Sequence, residues 1–363
     1  MAAEKRVRRI GILTGGGDCP GLNAAIRAVA KTAISEYGMS VVGFRDGFAG
    51  LVEGDARELR YDDVSGILAL GGTILGTSNR ADPFRYAAGK APPRDLSGRA
   101  VENARRRGVE ALLCLGGDGT LSIARRLTEK GLPCIGVPKT IDNDLLGTDL
   151  TFGFDSALRT AAEAIDRLRT TAESHHRVMV VEVMGRYVGW LGLCAGIAGG
   201  GDVILIPEIP HRIESVCDVV RARSRKGRRY SIVVISEGAA PMGRGPVVDR
   251  MVEGSPDPVR LGGAGRAVAD EVERRTGLES RVTVLGHLQR GGGPTAFDRI
   301  LATRFGEEAA RLAARGRFGR MVGIVGGGIV STTLARATAA LKRVPPGHPL
   351  VRAARATGAS FGE

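Results

Sequence analysis

Two aspartates separated by one residue, Asp142 and Asp144, are the side chains best suited to chemistry in this sequence. They follow the apolar run 132–137 and the short segment 138–141, and such an order is typical of a parallel strand that delivers polar side chains to a crevice at its carboxyl end. In extended chain both carboxylates would share a face. Such a pair needs a cation or a shared proton beside it, and a metal ion, an arginine or a substrate would each serve. A solvated turn rich in Asp and Asn is the alternative.

Two glycine-rich stretches precede these aspartates. Gly15-Gly16-Gly17-Asp18 follows the apolar run 7–13 and precedes helical spacing over 22–35, and Gly116-Gly117-Asp118-Gly119-Thr120 follows the apolar run 109–115. Neither fits the Walker A or G-x-G-x-x-G pattern. Glycines before a helix still bring backbone N–H groups against a phosphate, and carboxylate oxygens suit Mg²⁺. The sequence therefore predicts a site for a nucleotide and its magnesium ion.

The later polar loops carry arginines and one carboxylate. This composition suits a phosphorylated substrate with hydroxyl groups, although a lone arginine there is usually a surface residue. We expect these side chains at strand ends: Arg177, Arg186, Glu237, Arg281, His287 and Arg290.

Strand-like runs alternate with helical patterns, notably over 156–171 and 261–276, which predicts an α/β protein with parallel sheets. Three stretches look looser: 75–108, an exposed insertion at 239–262, and the tail from about residue 345.

Composition narrows the class of protein. The 363 residues suffice for two domains, no apolar run is long enough to span a bilayer, and the start lacks a signal-peptide core. The five cysteines are odd in number and show no C-x-x-C spacing, so we expect reduced thiols, a cytoplasmic protein and no membrane partner.

The formal charge of +13 indicates an anionic partner, either nucleic acid or a phosphorylated substrate. The densest basic run is 221–229, and no aromatic residue interrupts it. Because stacking on bases then has little support, we expect no nucleic-acid partner. We interpret the run as a solvated helix end, with a site for a phosphorylated effector as the alternative.

In this order and spacing the loops resemble those of the 6-phosphofructokinases of glycolysis, from about residue 7 to residue 330. The motifs that carry the resemblance are Gly15-Gly16-Gly17-Asp18-Cys19-Pro20-Gly21-Leu22-Asn23, Gly116-Gly117-Asp118-Gly119-Thr120, Thr140-Ile141-Asp142-Asn143-Asp144, Met184-Gly185-Arg186-Tyr187-x-Gly189 and Leu285-Gly286-His287-Leu288-Gln289-Arg290-Gly291-Gly292.

The resemblance implies two Rossmann-like three-layer domains with mainly parallel sheets and interleaved chain crossings. Residues 1–153 plus about 289–318 would bind the donor, 154–288 plus about 319–345 would bind the sugar phosphate, and 346–363 would form a tail. It also implies a homodimer or homotetramer with shared active sites.

The resemblance assigns roles residue by residue. Asp142 matches the general base, with Arg186, Thr140 and Asp144 also catalytic, and Asp118 matches the Mg²⁺ ligand. ATP is the implied donor, bound by Gly17, Arg80, Gly117, Asp118, Gly119 and Thr120. Contacts to fructose 6-phosphate are implied for Thr140, Ile141, Asp142, Arg177, Met184, Gly185, Arg186, Glu237, Arg281, His287, Leu288, Gln289 and Arg290. Arg177 and Arg281 would reach the 6-phosphate from a neighbouring subunit.

Two positions give opposite indications of the phosphoryl donor. Gly119 accompanies ATP use in this family, whereas Lys139 accompanies pyrophosphate use. We expect steric exclusion at position 119 to decide, with the flexible Lys139 either swinging aside or contacting the nucleotide phosphates. This favours ATP-dependent phosphorylation at O1 to fructose 1,6-bisphosphate. Asn79 adds a residue before Arg80, and the implied effector positions are only partly kept, with Arg27, Lys31, Arg169 and Asp202 at them. A pyrophosphate-dependent enzyme and a non-catalytic sugar-phosphate sensor are the alternatives.

Overall fold

A computed structural model describes residues 7–87, 92–252 and 259–363. The chain divides into two compact units. The first contains Met1–Ser156 and Arg290–Leu341, and the second contains Ala157–Gln289 and Lys342–Glu363. No helix among the described residues is long and apolar enough to cross a membrane.

The elements alternate between strand and helix along most of the chain. Up to residue 175 they are β1 Arg9–Thr14, α1 Leu22–Tyr37, β2 Ser40–Phe44, α2 Phe48–Glu53, β3 Ala56–Glu58, α3 Ser97–Arg106, β4 Ala111–Gly116, α4 Asp118–Glu129, β5 Cys134–Thr140, β6 Phe152–Gly153 and α5 Phe154–His175. After it come β7 Val178–Val183, α6 Trp190–Ala198, β8 Val203–Leu205, α7 Ile213–Arg225, β9 Ser231–Ser236, β10 Val248–Met251, β11 Val259–Leu261, α8 Ala264–Thr276, β12 Ser280–Val284, α9 Ala296–Ala314, β13 Arg320–Val325, β14 Gly328–Thr333, α10 Leu334–Ala337 and α11 Pro349–Ala356.

The sheet of the first unit has the order β14-β13-β5-β4-β1-β2-β3. The central pairs are parallel, and antiparallel pairs lie at both edges, β13 with β14 and β2 with β3. Strands β4 and β5 are buried along their whole length, which is why they read as continuous apolar runs. Because β1, β4 and β5 are parallel neighbours, their carboxyl ends lie side by side at one edge.

The sheet of the second unit has the order β12-β7-β9-β8, and all its pairs are parallel. Its helices α7 and α8 pack with the buried valines of β7 and β9 in one core cluster. The prediction of an α/β fold with mainly parallel sheets is confirmed. The polar loops after β7, β9 and β12 therefore share one edge.

The compact units divide the chain differently from the predicted domains. Strand β13, predicted for the second domain with 319–345, pairs with β5 through Arg320 and Ile135 and lies in the first unit. The tail 346–363 packs in the second unit, where the N–H of Ile204 donates to the carbonyl of Ser360 at 2.8 Å. These long-range pairings leave no periodic signal in the sequence.

The predicted insertion at 239–262 contains a short antiparallel ribbon, β10 with β11. Residues 253–258 of that insertion lie outside the described part of the chain. The tail contains helix α11, and Phe361 near its end is buried.

Candidate active site

The two glycine-rich stretches meet at the edge formed by β1 and β4. The N–H of Gly15 donates to the carbonyl of Leu115 at 2.9 Å, and a Cβ atom at Gly15 would lie 2.6 Å from Oγ1 of Thr120. A side chain at position 15 would therefore clash. Glycine lets the loop after β1 and the start of α4 approach each other closely enough to present backbone N–H groups together.

Asp118 and Gly119 form the first turn of α4, so the second glycine-rich stretch is partly helical. Asp118 is partly buried, and this burial raises its pKa. Gly119 is exposed, and a Cβ atom there would meet no atom within 4 Å. The start of a helix is favourable for a phosphate, and the space at Gly119 leaves room for one.

Asp118 has the carboxylate group that the predicted magnesium ligand requires. Mg²⁺ usually takes one or two carboxylates and completes its octahedron with waters and substrate phosphates. Within the described ranges, no cluster of three or more His, Cys, Asp or Glu side chains could hold a metal ion. A single carboxylate at a phosphate-binding edge thus suits magnesium bound with a nucleotide better than a metal held by protein alone.

Lys139 belongs to strand β5 and not to the loop after it, because β5 continues through Thr140. Its side chain is 3% exposed, and Nζ donates to the carbonyl of Gly17 in the loop after β1. Burial lowers the pKa of Lys139. The expectation that this lysine swings freely aside is therefore wrong, since its ammonium group is enclosed and bonded.

The chain turns sharply between the two aspartates. Asn143 has a φ of 52°, its side-chain amide donates to the carbonyl of Asp149 at 3.2 Å, and its Oδ1 accepts from the N–H of Thr151 at 3.1 Å. Asp142 and Asp144 consequently do not alternate along an extended strand as the sequence suggested. Their nearness is fixed by this turn, which the N–H of Asp142 supports by donating to Oγ1 of Thr140 at 3.1 Å.

Burial is the largest cause of the raised pKa values of both carboxylates. Burial raises the pKa of Asp142, while the positive charges of Arg290 and Lys139 oppose that effect. Burial and then the charge of Asp142 raise the pKa of Asp144 to about 7. One buried oxygen of Asp144, Oδ1, has no hydrogen-bond partner within the described residues. Both carboxylates thus hold a proton more strongly than a solvated aspartate does, and the two cations beside Asp142 oppose this effect there.

Arginines approach the glycine loop from two other segments. Nη1 of Arg290 donates to the carbonyl of Asp18 at 3.0 Å, and a Cβ atom at Gly17 would lie 2.6 Å from that nitrogen. Arg80 is exposed, two residues after Ser78, whose carbonyl accepts from the N–H of Gly16 at 3.1 Å. The first unit thus brings Gly17, Asp118, Lys139, Asp142 and the segment of Arg80 to one edge of its sheet.

The second unit holds the other group of predicted residues at the carboxyl ends of β7, β9 and β12. The N–H of Met184 donates to Oε1 of the buried Gln289 at 2.8 Å, and the N–H of Gly238 donates to the carbonyl of Gly185 at 3.2 Å. Gly185 has a φ of 138°, a conformation that favours glycine. These bonds fix the backbone that carries Arg186, which stacks on Tyr187, and the strand end that carries Glu237.

His287 and Leu288 are exposed at the same edge, in a short 3₁₀ turn after β12, and Leu288 is 68% exposed. Gln289 in this turn points inward and is fully buried. Of the four predicted contact residues in this turn, His287 and Leu288 therefore face solvent, Gln289 holds Met184, and Arg290 donates to the carbonyl of Asp18.

Arg177 and Arg281 do not join this group. They lie at the amino ends of β7 and β12, so a six-residue strand, roughly 20 Å at about 3.3 Å per residue, separates Arg177 from Arg186. Both pair with Glu279, Arg177 through Nε at 2.8 Å. The expectation of four arginines at strand carboxyl ends is therefore wrong for these two, because the sequence does not mark where each strand begins.

Two comparisons with known proteins identify the chain. Residues 9–313 match the phosphofructokinase family. The chain belongs to the phosphofructokinase family. It is 49% identical over 98% of its length, and 99% of the relative's, to "ATP-dependent 6-phosphofructokinase 2" of Clostridium perfringens. It is 53% identical over 93% of its length, and 96% of the relative's, to "Pyrophosphate--fructose 6-phosphate 1-phosphotransferase" of Amycolatopsis methanolica. It is therefore an enzyme of this family.

Solved phosphofructokinases share the fold. The crystal structure of Pichia pastoris phosphofructokinase in the T-state superposes with a TM-score of 0.81 at 37% identity, over 93% of this chain and 36% of that one. The prediction of this family from the five loop motifs is confirmed.

The sequence did not predict several residues that support these strand ends. Oγ1 of Thr77 donates to the carbonyls of Thr14 and Gly16 at 3.0 and 2.7 Å, which ties the segment of Arg80 to the glycine loop. Glu182 is buried in β7 and accepts from the N–H of Gly265 at 2.7 Å. Its charge inside an apolar strand was a signal for a partner. Two implied effector residues have partners of their own: Arg169 donates to the carbonyl of Gly200, and Asp202 pairs with Arg223.

The raised pKa of Asp144 predicts a pH-dependent stability. The folded state holds a proton at this group up to about pH 7, whereas an unfolded aspartate releases it near 3.8, so the folded state loses stability as pH rises through this window. Asp144→Asn mimics the protonated group and should raise the melting temperature at about pH 8 relative to wild type, with little change at about pH 4.

The exposed Asp166→Asn serves as the control, with no such pH-dependent difference expected. An equal fall in melting temperature for wild type and Asp144→Asn between the two pH values would contradict the assignment.

Proposed function

We propose that the enzyme transfers the γ-phosphoryl group of ATP to O1 of fructose 6-phosphate and makes fructose 1,6-bisphosphate. The observation that carries this proposal is the setting of Asp142, a carboxylate at the end of a buried strand with the cations Lys139 and Arg290 beside it. A general base must stay ionised to accept a proton, and these two charges favour the ionised form.

In this mechanism Asp142 accepts the proton of the sugar O1 hydroxyl. The O1 oxygen forms a bond to the γ-phosphorus as the bond from that phosphorus to the bridging oxygen of ADP breaks. Phosphoryl transfer needs positioning and charge neutralisation and little covalent work by the protein. The ammonium group of Lys139 and backbone N–H groups at the start of α4 would neutralise phosphate charge, with Arg80 as a further donor contact.

Mg²⁺ would be held by Asp118 and would supply charge neutralisation on the donor phosphates. Gly17, Gly117, Gly119 and Thr120 would contact the donor through the same edge. Thr140 would position Asp142 by accepting a hydrogen bond from its N–H. Asp144 would be coupled to the base, because the charge of Asp142 raises the pKa of Asp144.

The second unit would bind the sugar phosphate. Its strand ends carry Met184, Gly185, Arg186, Glu237, His287, Leu288 and Gln289. Because Arg177 and Arg281 lie at the opposite strand ends of their own unit, they suit a substrate of another subunit, in a homodimer or homotetramer. We place the enzyme in the cytoplasm, a location that its five free thiols favour.

ATP is the proposed donor because the space at Gly119 accommodates the α-phosphate end of a nucleotide. Pyrophosphate is the second candidate, since Lys139 lies beside Gly17 and would neutralise an inorganic leaving group. Relatives with each donor in their names resemble the chain about equally, at 49% and 53% identity. A non-catalytic sensor has no observation in its favour.

The first test replaces the base. Asp142→Asn keeps the shape of the side chain but removes its basicity, so kcat should fall by about 10² to 10⁴ while fructose 6-phosphate binding is retained. Steady-state kinetics and direct titration of the sugar phosphate measure the two quantities. Asp166→Asn, which makes the same change at an exposed position of α5, is the control and should retain activity. Wild-type turnover in Asp142→Asn would remove this residue from the role.

The second test addresses the donor. Wild-type enzyme should turn over with ATP and have little or no activity with pyrophosphate. Gly119→Ala should be tolerated because its Cβ meets open space, whereas Gly119→Asp adds bulk and negative charge and should lower kcat/KM for ATP by about a hundredfold or more. Lys139→Gly should impair both donors. Robust turnover with pyrophosphate and none with ATP would show that Lys139, and not Gly119, determines the choice of donor.

The third test asks whether subunits share the site. Arg177→Ala and Asp142→Asn should each be nearly inactive, and unfolding and refolding them together should restore activity. In a randomly paired dimer, half the molecules are mixed and one of their two sites is intact, which gives about a quarter of wild-type activity. Mixing Asp142→Asn with Arg186→Ala should restore none, because both groups would come from one subunit. No recovery in the first mixture would contradict a shared site.

A further inference from the structure

The second unit contains a cavity that none of the predicted active-site residues lines. Its volume is about 520 Å³, and it lies between the start of α7, one side of α8 and the loop 239–247. Small-molecule sites commonly have volumes of about 300–1,000 Å³. Ile235, Val247 and Val268 contribute apolar surface to its walls. The cavity is therefore large enough for a compact organic molecule and has an apolar surface to receive one.

Positive charge exceeds negative charge around this cavity. Arg275 pairs with Glu214 and Glu271, and Arg274 pairs with the same Glu271, so both carboxylates of the wall are already engaged. Arg212 and Arg244 also line the cavity, and neither has a carboxylate within salt-bridge distance in the parts of the chain that the structure describes. Nε of Arg212 donates to Sδ of Met242 at 3.4 Å, which leaves its two terminal nitrogens and the guanidinium group of Arg244 available to an anion.

A buried histidine provides an independent sign of a ligand. His211 lines the cavity and is only 2% exposed, and its Nδ1 has no hydrogen-bond partner among the described residues. Burial lowers the pKa of His211, so the ring is neutral at pH 7 and offers one donor and one acceptor nitrogen. An unpartnered buried nitrogen costs free energy that a polar group of a ligand would recover.

We propose that this cavity binds a small organic anion with a flat apolar body and one carboxylate or phosphate group. The apolar body would cover Ile235, Val247 and Val268, while the anionic group would engage Arg212 and Arg244. An inorganic anion would leave the apolar wall uncovered, and a neutral compound would leave both guanidinium groups without a partner.

Isothermal titration calorimetry on the full chain tests the proposal with four probes. Phenyl phosphate and phenylacetate carry the anionic group on an aromatic body, phenylacetamide is a neutral counterpart, and inorganic phosphate lacks the body. Titrations are run with saturating fructose 6-phosphate present and absent, which separates this cavity from the proposed sugar site. We expect the two aromatic anions to bind at least about tenfold more tightly than phenylacetamide and inorganic phosphate. The tighter of the two anions identifies the ligand as a phosphate or a carboxylate.

Variants localise the binding. Arg244→Gln should weaken the aromatic anions about tenfold, and Ala267→Phe, which fills the cavity from an exposed position on α8, should abolish their binding. Arg266→Gln removes an exposed arginine of the same helix that pairs with Asp270, and it should leave the affinity unchanged. The proposal is overturned if neither anion binds below about 10 mM, if phenylacetamide binds as well, or if both cavity variants retain wild-type affinity.

Discussion

The buried ammonium group of Lys139 is the interaction on which the polar edge of the first unit depends. Nζ donates to the carbonyl of Gly17 and so joins the end of β5 to the loop after β1. An ammonium group without anionic neighbours would be very costly in such a place, and the charges of Asp18 and Asp142 offset that cost. The relation is reciprocal, because Lys139 also favours the ionised form of Asp142. The positive charge of Lys139 and the negative charge of Asp142 therefore each offset part of the cost of burying the other.

Topology explains why these groups meet although they are far apart in sequence. In the first sheet Thr14 lies beside Leu115 and Gly116 beside Pro138, so three parallel strands end at the same edge, and β5 continues two residues beyond β4. The glycines after β1 and β4 remove the side chains that would keep the loops apart, and Thr120 fills the space between them. In the second sheet β7, β9 and β12 repeat the arrangement with arginine, glutamate and histidine at their ends. Each unit thus gathers polar side chains from several strands at one edge.

The sequence predicted the features that depend on local pattern. Apolar runs, glycine loops and the order of five motifs were enough for the α/β class and the family. The features it did not predict depend on the exact ends of strands and on long-range pairing. Strand β5 continues through Thr140 and buries Lys139, Asn143 turns the chain at φ 52°, and β7 begins only after Arg177. A hydrophobic run does not mark such limits, because a polar residue extends a strand whenever its partner strand offers backbone bonds.

The same reasoning bears on how one scaffold discriminates between donors. Relatives named for ATP and for pyrophosphate resemble the chain about equally, so the choice must rest on few side chains and not on the fold. Lys139 is held by a carbonyl group of the protein itself, and that bond is independent of the donor. A side chain fixed in this way contributes the same charge to either reaction. Discrimination then falls to a position where size differs, and Gly119, with no atom within 4 Å of a Cβ there, is such a position. An empty volume admits a nucleotide without excluding a smaller anion, so the space at Gly119 alone would not reject pyrophosphate.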